Sequence, residues 1–152
     1  MTQIRKAKIA DVHDIQKLVN HFAERDEMLP RSLMTIYENI RDFFVVQDGD
    51  KIVGCCALHI AWEDLAEIKS LAVDETVHRA GFGSQLVNAC LDEARQLGIA
   101  KIFALTYRPD FFIKLGFYGV EKSALPHKIW SDCINCPKFP DCGEEAVQLT
   151  LV

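Results

Sequence analysis

The chain lacks a hydrophobic run long enough to cross a bilayer. Its longest mostly apolar stretch, Ile52 to Trp62, is interrupted by His59 and falls far short of the roughly 20 residues a spanning helix requires. It also lacks a basic excess. Lys and Arg total 17 against 22 Asp and Glu, a formal charge of -5, and the basic residues are scattered. Nucleic-acid binding draws on phosphate neutralisation, so that class of partner is excluded, as is a membrane. The start, MTQIRKAKIADVHDI, has no continuous apolar core of a signal peptide, so a cytoplasmic protein is expected, in which cysteines are normally reduced. No linker, biased tract or internal repeat divides the 152 residues, and one domain spanning 1–152 is the expectation. Two familiar phosphate loops are missing as well. There is no GxxxxGK[ST], and the dinucleotide fingerprint fails because Leu86 stands where its third glycine belongs, with apolar Phe103 to Leu105 about where a ribose-binding acid is expected.

What is present is a regular alternation of elements. Gln3 to Lys8 reads as a strand, after which Asp11 is placed to cap a helix with Val12, Ile15, Leu18, Val19 and Phe22 on one face. Ser32 is placed to cap a second helix carrying Leu33, Ile36, Tyr37 and Ile40. FFVVQ and KIVGCCALHIAW flank the turn DGD as a hairpin, and LAEIKSLAV is a further strand. A long helix follows, buried through Leu86, Val87, Cys90, Leu91, Ala94 and Leu97, with Gly98 positioned to end it. KIFALT, a short helix in DFFIKLG, FYGV and AVQLTLV complete a mixed α/β sheet with helices on its faces.

The chemistry-bearing motif is His78-Arg79-Ala80-Gly81-Phe82-Gly83-Ser84, between a strand and that long helix. Its glycines permit backbone conformations closed to other residues, so N–H groups can face outward at a helix N-terminus. With the helix dipole and Arg79, such a nest suits a phosphate or pyrophosphate; a packing-driven turn is the alternative. EIKSLAVDETVHRAGFGSQLV, followed by LT and FFIKLGF, resembles the core of the GNAT-family N-acetyltransferases, and the likeness covers essentially the whole chain. It implies the GNAT fold, a mixed and mostly antiparallel sheet with helices on both faces, and acetyl-CoA as cosubstrate. It also implies that the backbone of Leu71, Ala72 and Val73 contacts the pantetheine arm and that His78, Arg79, Ala80, Gly81, Phe82, Gly83 and Ser84 hold the pyrophosphate. His78 departs from the family pattern, which has Gln or Arg there.

MLPRS, GCCALH, LAEIKSLAV and LPHKIW are similar to the acetyltransferase domain of N-acetylglutamate synthases, particularly short versions without an amino-acid-kinase domain. The implied reaction is acetyl transfer from acetyl-CoA to the α-amine of L-glutamate, the first step of arginine biosynthesis. An amine attacks a thioester only when unprotonated, so a base is required, and Glu67 is the candidate; an ion pair with Lys69 is its structural alternative. Many GNAT enzymes use a tyrosine before K-L-G-F to protonate the departing thiolate. Here Phe112 holds that place in the cofactor site, so water, or release of coenzyme A as thiolate, must serve. Arg31, at a helix entrance, is the first candidate for the glutamate carboxylates and Lys128 the second. Arg5 and Arg108 are weaker options, Tyr107 reads as a core or rim aromatic, and His21 and His59 show no partner pattern. Acetylation of another small amine, and a non-catalytic acyl-CoA sensor, remain the alternatives; a homodimer is left open.

DCINCPKFPDC, Asp132 to Cys142, gathers three of the six cysteines. Cys133, Cys136 and Cys142 are one ligand short of a structural zinc site, with His127 or Cys55 as speculative fourth partners, so zinc is not favoured. The Cys-rich segment 126–145 is expected to be an ordered flap or brace beside the acceptor pocket, stiffened by its prolines.

Overall fold

A computed structural model of the chain describes residues 2–25, 31–125 and 145–151, without the side chains of His78, Arg79 and Ala124. Seven strands, β1 (Thr2–Lys6), β2 (Phe43–Asp48), β3 (Lys51–Trp62), β4 (Leu65–Val73), β5 (Lys101–Thr106), β6 (Tyr118–Val120) and β7 (Glu145–Thr150), form one sheet in the order β1-β2-β3-β4-β5-β7-β6. All neighbours are antiparallel except β4 and β5. Between those two runs α3 (Phe82–Leu97), the kind of long crossover that a parallel pair needs.

Strand alternation sends successive side chains to opposite faces, and the central strands are apolar on both. Val46, Val53, Cys56, Leu58, Ala66 and Ile68 pack with Leu86, Val87, Cys90, Leu91 and Ala94 of α3, and with Phe112 of α4 (Pro109–Lys114). The residues between them, Val45, Cys55 and Ala57, pack with Val12, Ile15, Val19 and Phe22 of α1 (Val12–Ala23) and with Ile36 of α2 (Leu33–Glu38). Along the same face a third cluster joins Leu65, Phe103, Leu125 and Ala146. This is why FFVV and IVGCCAL are continuous apolar runs and not alternating ones: helices cover both sides.

The helix ends show where local chemistry matched the sequence and where it did not. Ser32 caps α2 as expected, its Oγ accepting from Thr35 N–H at 3.1 Å. Gly98 ends α3 at φ 82°, with Ile99 N–H donating to the Ala94 carbonyl. Asp11 does not cap α1 with its side chain. Its carboxylate instead accepts from Lys8 N–H at 2.7 Å and from the two terminal guanidinium nitrogens of Arg5, Nη1 and Nη2, at 2.8 and 3.1 Å. Lys8 is thereby pulled into a turn, and β1 stops at Lys6 instead of running on to Lys8. Arg5 also donates to Gln47, so it belongs to the β1–β2 edge and not to a carboxylate-binding pocket. No helix of the described residues is long and apolar enough to cross a membrane.

Candidate active site

The site is built on a parting of strands. β4 and β5 pair only through Leu65↔Lys101, Ala66↔Ile102 and Glu67↔Phe103. Beyond Phe103, β5 stays with β7, through Val147, Ala146 and Glu145, while β4 continues beside β3 alone to Val73↔Gly54. The β4 backbone after Glu67 therefore lines a wedge between the two strands instead of a ladder. Leu71, Ala72 and Val73 lie on this stretch, Ala72 against the α1 layer and Leu71 and Val73 against the α3 core.

A bulge sits in the same stretch. From Ala57↔Lys69 to Cys55↔Ala72 the register advances two residues on β3 and three on β4, and Ser70 takes up the excess at φ 55°, the one positive φ outside glycine among the described residues. Such a conformation is costly for a residue with a Cβ and must be held by its surroundings. Cys55 supplies part of that hold. Burial pushes its thiol up to about 12, against an opposing pull from the Ala72 backbone, so it stays protonated and donates to the Ser70 carbonyl at 3.4 Å. That also removes Cys55 as a fourth zinc partner: the thiol is fully buried and already engaged.

Glu67 stands at the mouth of the wedge on the α1/α2 face. Its cross-strand neighbour is His59 on β3, and its side chain is 13% exposed, with Lys69 Nζ 3.9 Å from Oε1. That separation is long for a charge-assisted hydrogen bond, so the Lys69 contact is a loose one. His59 does have a partner, contrary to its plain sequence context: Nδ1 lies 2.7 Å from Asp42 Oδ2. His21 also has one, 2.7 Å from Glu75 Oε1, where Arg25 converges on the same carboxylate. These contacts hold the Glu75 carboxyl below its usual range, His21 contributing most.

The glycine loop resolves into two different uses of glycine. A 3-10 turn, Glu75–Ala80, follows β4, and Asp74 braces it by accepting from Thr76 N–H at 3.0 Å and from the Thr76 hydroxyl. Gly81 then takes φ 79°, ψ 15° as the residue that opens α3, a conformation that disfavours any side chain. Gly83 is helical and serves close packing instead: a Cβ there would lie 3.3 Å from the Phe111 ring. The first intrahelical bond is Gln85 N–H to the Gly81 carbonyl, so the N–H groups of Phe82, Gly83 and Ser84 are the free leading edge of the α3 dipole. Phe112, assigned to the cofactor site from its position before K-L-G-F, is only 4% exposed and stacks edge-on with Phe111 and Phe117. The ring that faces the loop is that of Phe111.

Arg31 directly precedes the α2 cap, and its backbone is clamped by α1: its N–H donates to Asn20 Oδ1 at 3.2 Å and its carbonyl accepts from Gln16 Nε2 at 3.3 Å. Arg108 opens α4, its N–H bound to Thr106 Oγ1 at 2.8 Å, and Tyr107 is half-buried beside it. Lys128, His127, Cys133, Cys136, Cys142 and the rest of the Cys-rich segment lie outside the described residues, as does most of MLPRS. Among the described residues no cluster of three His, Cys, Asp or Glu is arranged to hold a metal. Sequence reasoning missed Ser70 and the Asp42–His59 pair. The first had a signal: polar positions alternate at Glu67 and Lys69, then slip phase at Ser70. The second had none, because Asp42 and His59 are brought together only by the β2–β3 pairing.

Comparison with known proteins agrees with this geometry. The acetyltransferase (GNAT) family model matches residues 9–119. An uncharacterized N-acetyltransferase of Chlorobaculum tepidum is 40% identical over 99% of this chain and 97% of its own length. An amino-acid acetyltransferase of Mycobacterium tuberculosis is 35% identical over 85% of this chain and 75% of its own length. Among solved structures, N-acetylglutamate synthase of Neisseria gonorrhoeae, complexed with coenzyme A and N-acetyl-glutamate, superposes with a TM-score of 0.87 at 26% identity, over 100% of this chain and 35% of that one. A parted β4–β5 pair, a bulged β4 and a glycine-opened α3, together with these likenesses, lead to one conclusion: the chain belongs to the acetyltransferase (GNAT) family, and is similar within it to the amino-acid acetyltransferases.

Proposed function

We propose that the chain transfers the acetyl group of acetyl-CoA to the α-amine of L-glutamate, as N-acetylglutamate synthases do at the first step of arginine biosynthesis, in the cytoplasm. The observation that carries this is the β4–β5 wedge with Glu67 at its mouth. In this reading the backbone of residues 71–73 aligns the pantetheine arm, and a backbone N–H from the same stretch offsets the negative charge that develops on the thioester oxygen. The leading N–H groups of α3, with His78, Arg79 and Ala80 before them, hold the pyrophosphate. Glu67 takes one proton from the glutamate ammonium, the free amine forms the new C–N bond, and as the C–S bond breaks with its electron pair leaving on coenzyme A sulfur the nitrogen gives up its second proton, to water or to that sulfur. Phe112 has no group to donate, so the thiolate leaves as such or is protonated by water or by that nitrogen.

Arg31 is the carboxylate clamp of this reading, with Lys128 as second candidate. Its support is the double tether on the Arg31 backbone, which fixes where the side chain starts. The name of the Mycobacterium relative supports an amino acid as acceptor, and the N-acetyl-glutamate in the Neisseria synthase complex supports glutamate among them. Incubating the protein with acetyl-CoA and each of the common amino acids, with release of CoA thiol as readout, tests it. Glutamate is expected to give the highest kcat/KM. Turnover on a different amine with none on glutamate would replace the acceptor, and acetyl-CoA binding with no turnover on any amine would favour a sensor.

A further inference from the structure

We infer that Asp42 and His59 are a positioning pair for the proton that Glu67 removes, carrying it from the half-buried carboxylate to solvent. This deepens the reading above and rests on Glu67 being the base.

Three features place the pair. Register puts His59 directly opposite Glu67, and directly opposed side chains on one face of an antiparallel ladder have Cβ atoms roughly 5 Å apart. Their exposures form a gradient: the Glu67 side chain is 13% exposed and that of His59 39%. A proton passing from carboxylate to imidazole therefore moves toward water. The third is the 2.7 Å contact from His59 Nδ1 to Asp42 Oδ2. A carboxylate there takes the Nδ1 hydrogen, leaving the Nε2 lone pair as the neutral ring's proton acceptor, and it stabilises the ring once charged.

The steps balance without any further reactant. An N–H bond of the substrate ammonium breaks as the Glu67 O–H forms, that O–H breaks as the His59 Nε2–H forms, and Nε2–H releases its proton to water. Among the described residues, the charged side chains placed beside His59 by contact or register are Asp42, from the turn before β2, and Glu67 and Lys69 from β4. Opposite Glu67, β5 supplies Phe103, and the inward residues of α1 are Val12, Ile15, Val19 and Phe22. Lys69 shares the face but repels an imidazolium, which favours onward release of the proton.

The test has an arm that needs no turnover. The His59 ring nitrogens are followed by NMR in the intact protein, their signals assigned by loss in His59→Gln, and then again in Glu67→Gln and Asp42→Asn. Asp42→Asn is expected to weaken the preference for the Nδ1–H tautomer, and Glu67→Gln to shift the Nε2 resonance. In the kinetic arm, His59→Gln is expected to lower kcat about tenfold or more with KM for acetyl-CoA unchanged, and to alter the acidic limb of the kcat–pH profile. Asp42→Asn, which keeps the ring, should give a smaller fall with the same change of limb. An Nε2 resonance unmoved by Glu67→Gln, or a His59→Gln profile that superimposes on wild type, overturns the relay. Failure of every amino acid to accept acetyl overturns the glutamate reading instead, and the Nε2 resonance then decides for or against the Glu67–His59 link on its own.

Discussion

The two halves of β4 are made of similar residues and live under different constraints. Leu65 to Glu67 is held on both sides, by β3 and by β5, with Phe103 and Leu65 sealing a buried cluster beneath. Lys69 to Val73 is held by β3 alone, carries a left-handed serine, and faces a wedge. The first half does what a central strand does, which is to tie the sheet together. The second gives up a ladder's worth of hydrogen bonds, and in return it offers backbone groups to something other than the protein. Glu67 lies at the junction, rigid enough to keep its place and close enough to the gap to act in it.

Perturbing each half separately breaks or sharpens this contrast. At the junction, Glu67→Gln is expected to lower kcat about 100-fold or more while leaving the KM for acetyl-CoA nearly unchanged; undiminished turnover would take the base role from Glu67. Arg31→Ala lies outside β4 and is expected to raise the glutamate KM by about tenfold or more, since an uncompensated carboxylate costs roughly 2 kcal/mol, with acetyl-CoA kinetics unmoved.

Two adjacent cysteines divide the halves more finely. Cys55 faces the bulge and Cys56 faces Cys90 in the α3 core, with the two sulfurs 3.7 Å apart. Either change to Ala removes a small buried side chain and is expected to cost about 1 to 2 kcal/mol in denaturant melts. Only Cys55→Ala is expected to weaken acetyl-CoA binding as well, by calorimetry. Equal losses of affinity in both would show that the bulge is not held locally.

The smallest effect serves as a control far from the wedge. Burial raises the Asp11 carboxyl, and the Arg5 hydrogen bonds with the Lys8 N–H outweigh it, leaving the group below its usual value. Its contribution is thus present above the ordinary carboxylate range and is lost as pH falls through its own depressed value. Asp11→Asn is expected to cost about 1 to 2 kcal/mol at neutral pH and to flatten the acid end of a Tm–pH curve, with kcat unchanged.

Most of the layer structure was legible because it depends on local pattern. The period of Val12, Ile15, Val19 and Phe22 gave α1, the Ser32 cap gave the start of α2, and the two-sided apolar strands announced helices on both faces. The cysteines illustrate the limit. GCCAL reads as two equivalent buried thiols, yet one donates to the carbonyl of Ser70 at the bulge and the other accepts from the Cys90 thiol in the α3 core, and only strand register distinguishes them. The Asp42–His59 pair was invisible for the same reason. Asp11 looked like a cap because position and residue type both fitted, but the guanidinium of Arg5, in β1 and outside the α1 pattern, competed for its oxygens and won.

The extra residue at Ser70 also sets a parity. Below it the α1 face takes residues 65, 67 and 69; above it that face takes 72, while 71 and 73 turn to α3. One residue of slack thus lets an odd-numbered carboxylate and an even-numbered alanine share a side. Straighten the bulge with Ser70 kept in the ladder and the strand would have to choose: keep Glu67 at the mouth and present Leu71 to α1, or keep Ala72 and turn Glu67 into the α3 core. The bulge is what allows the chemistry and the packing of this strand to be counted separately.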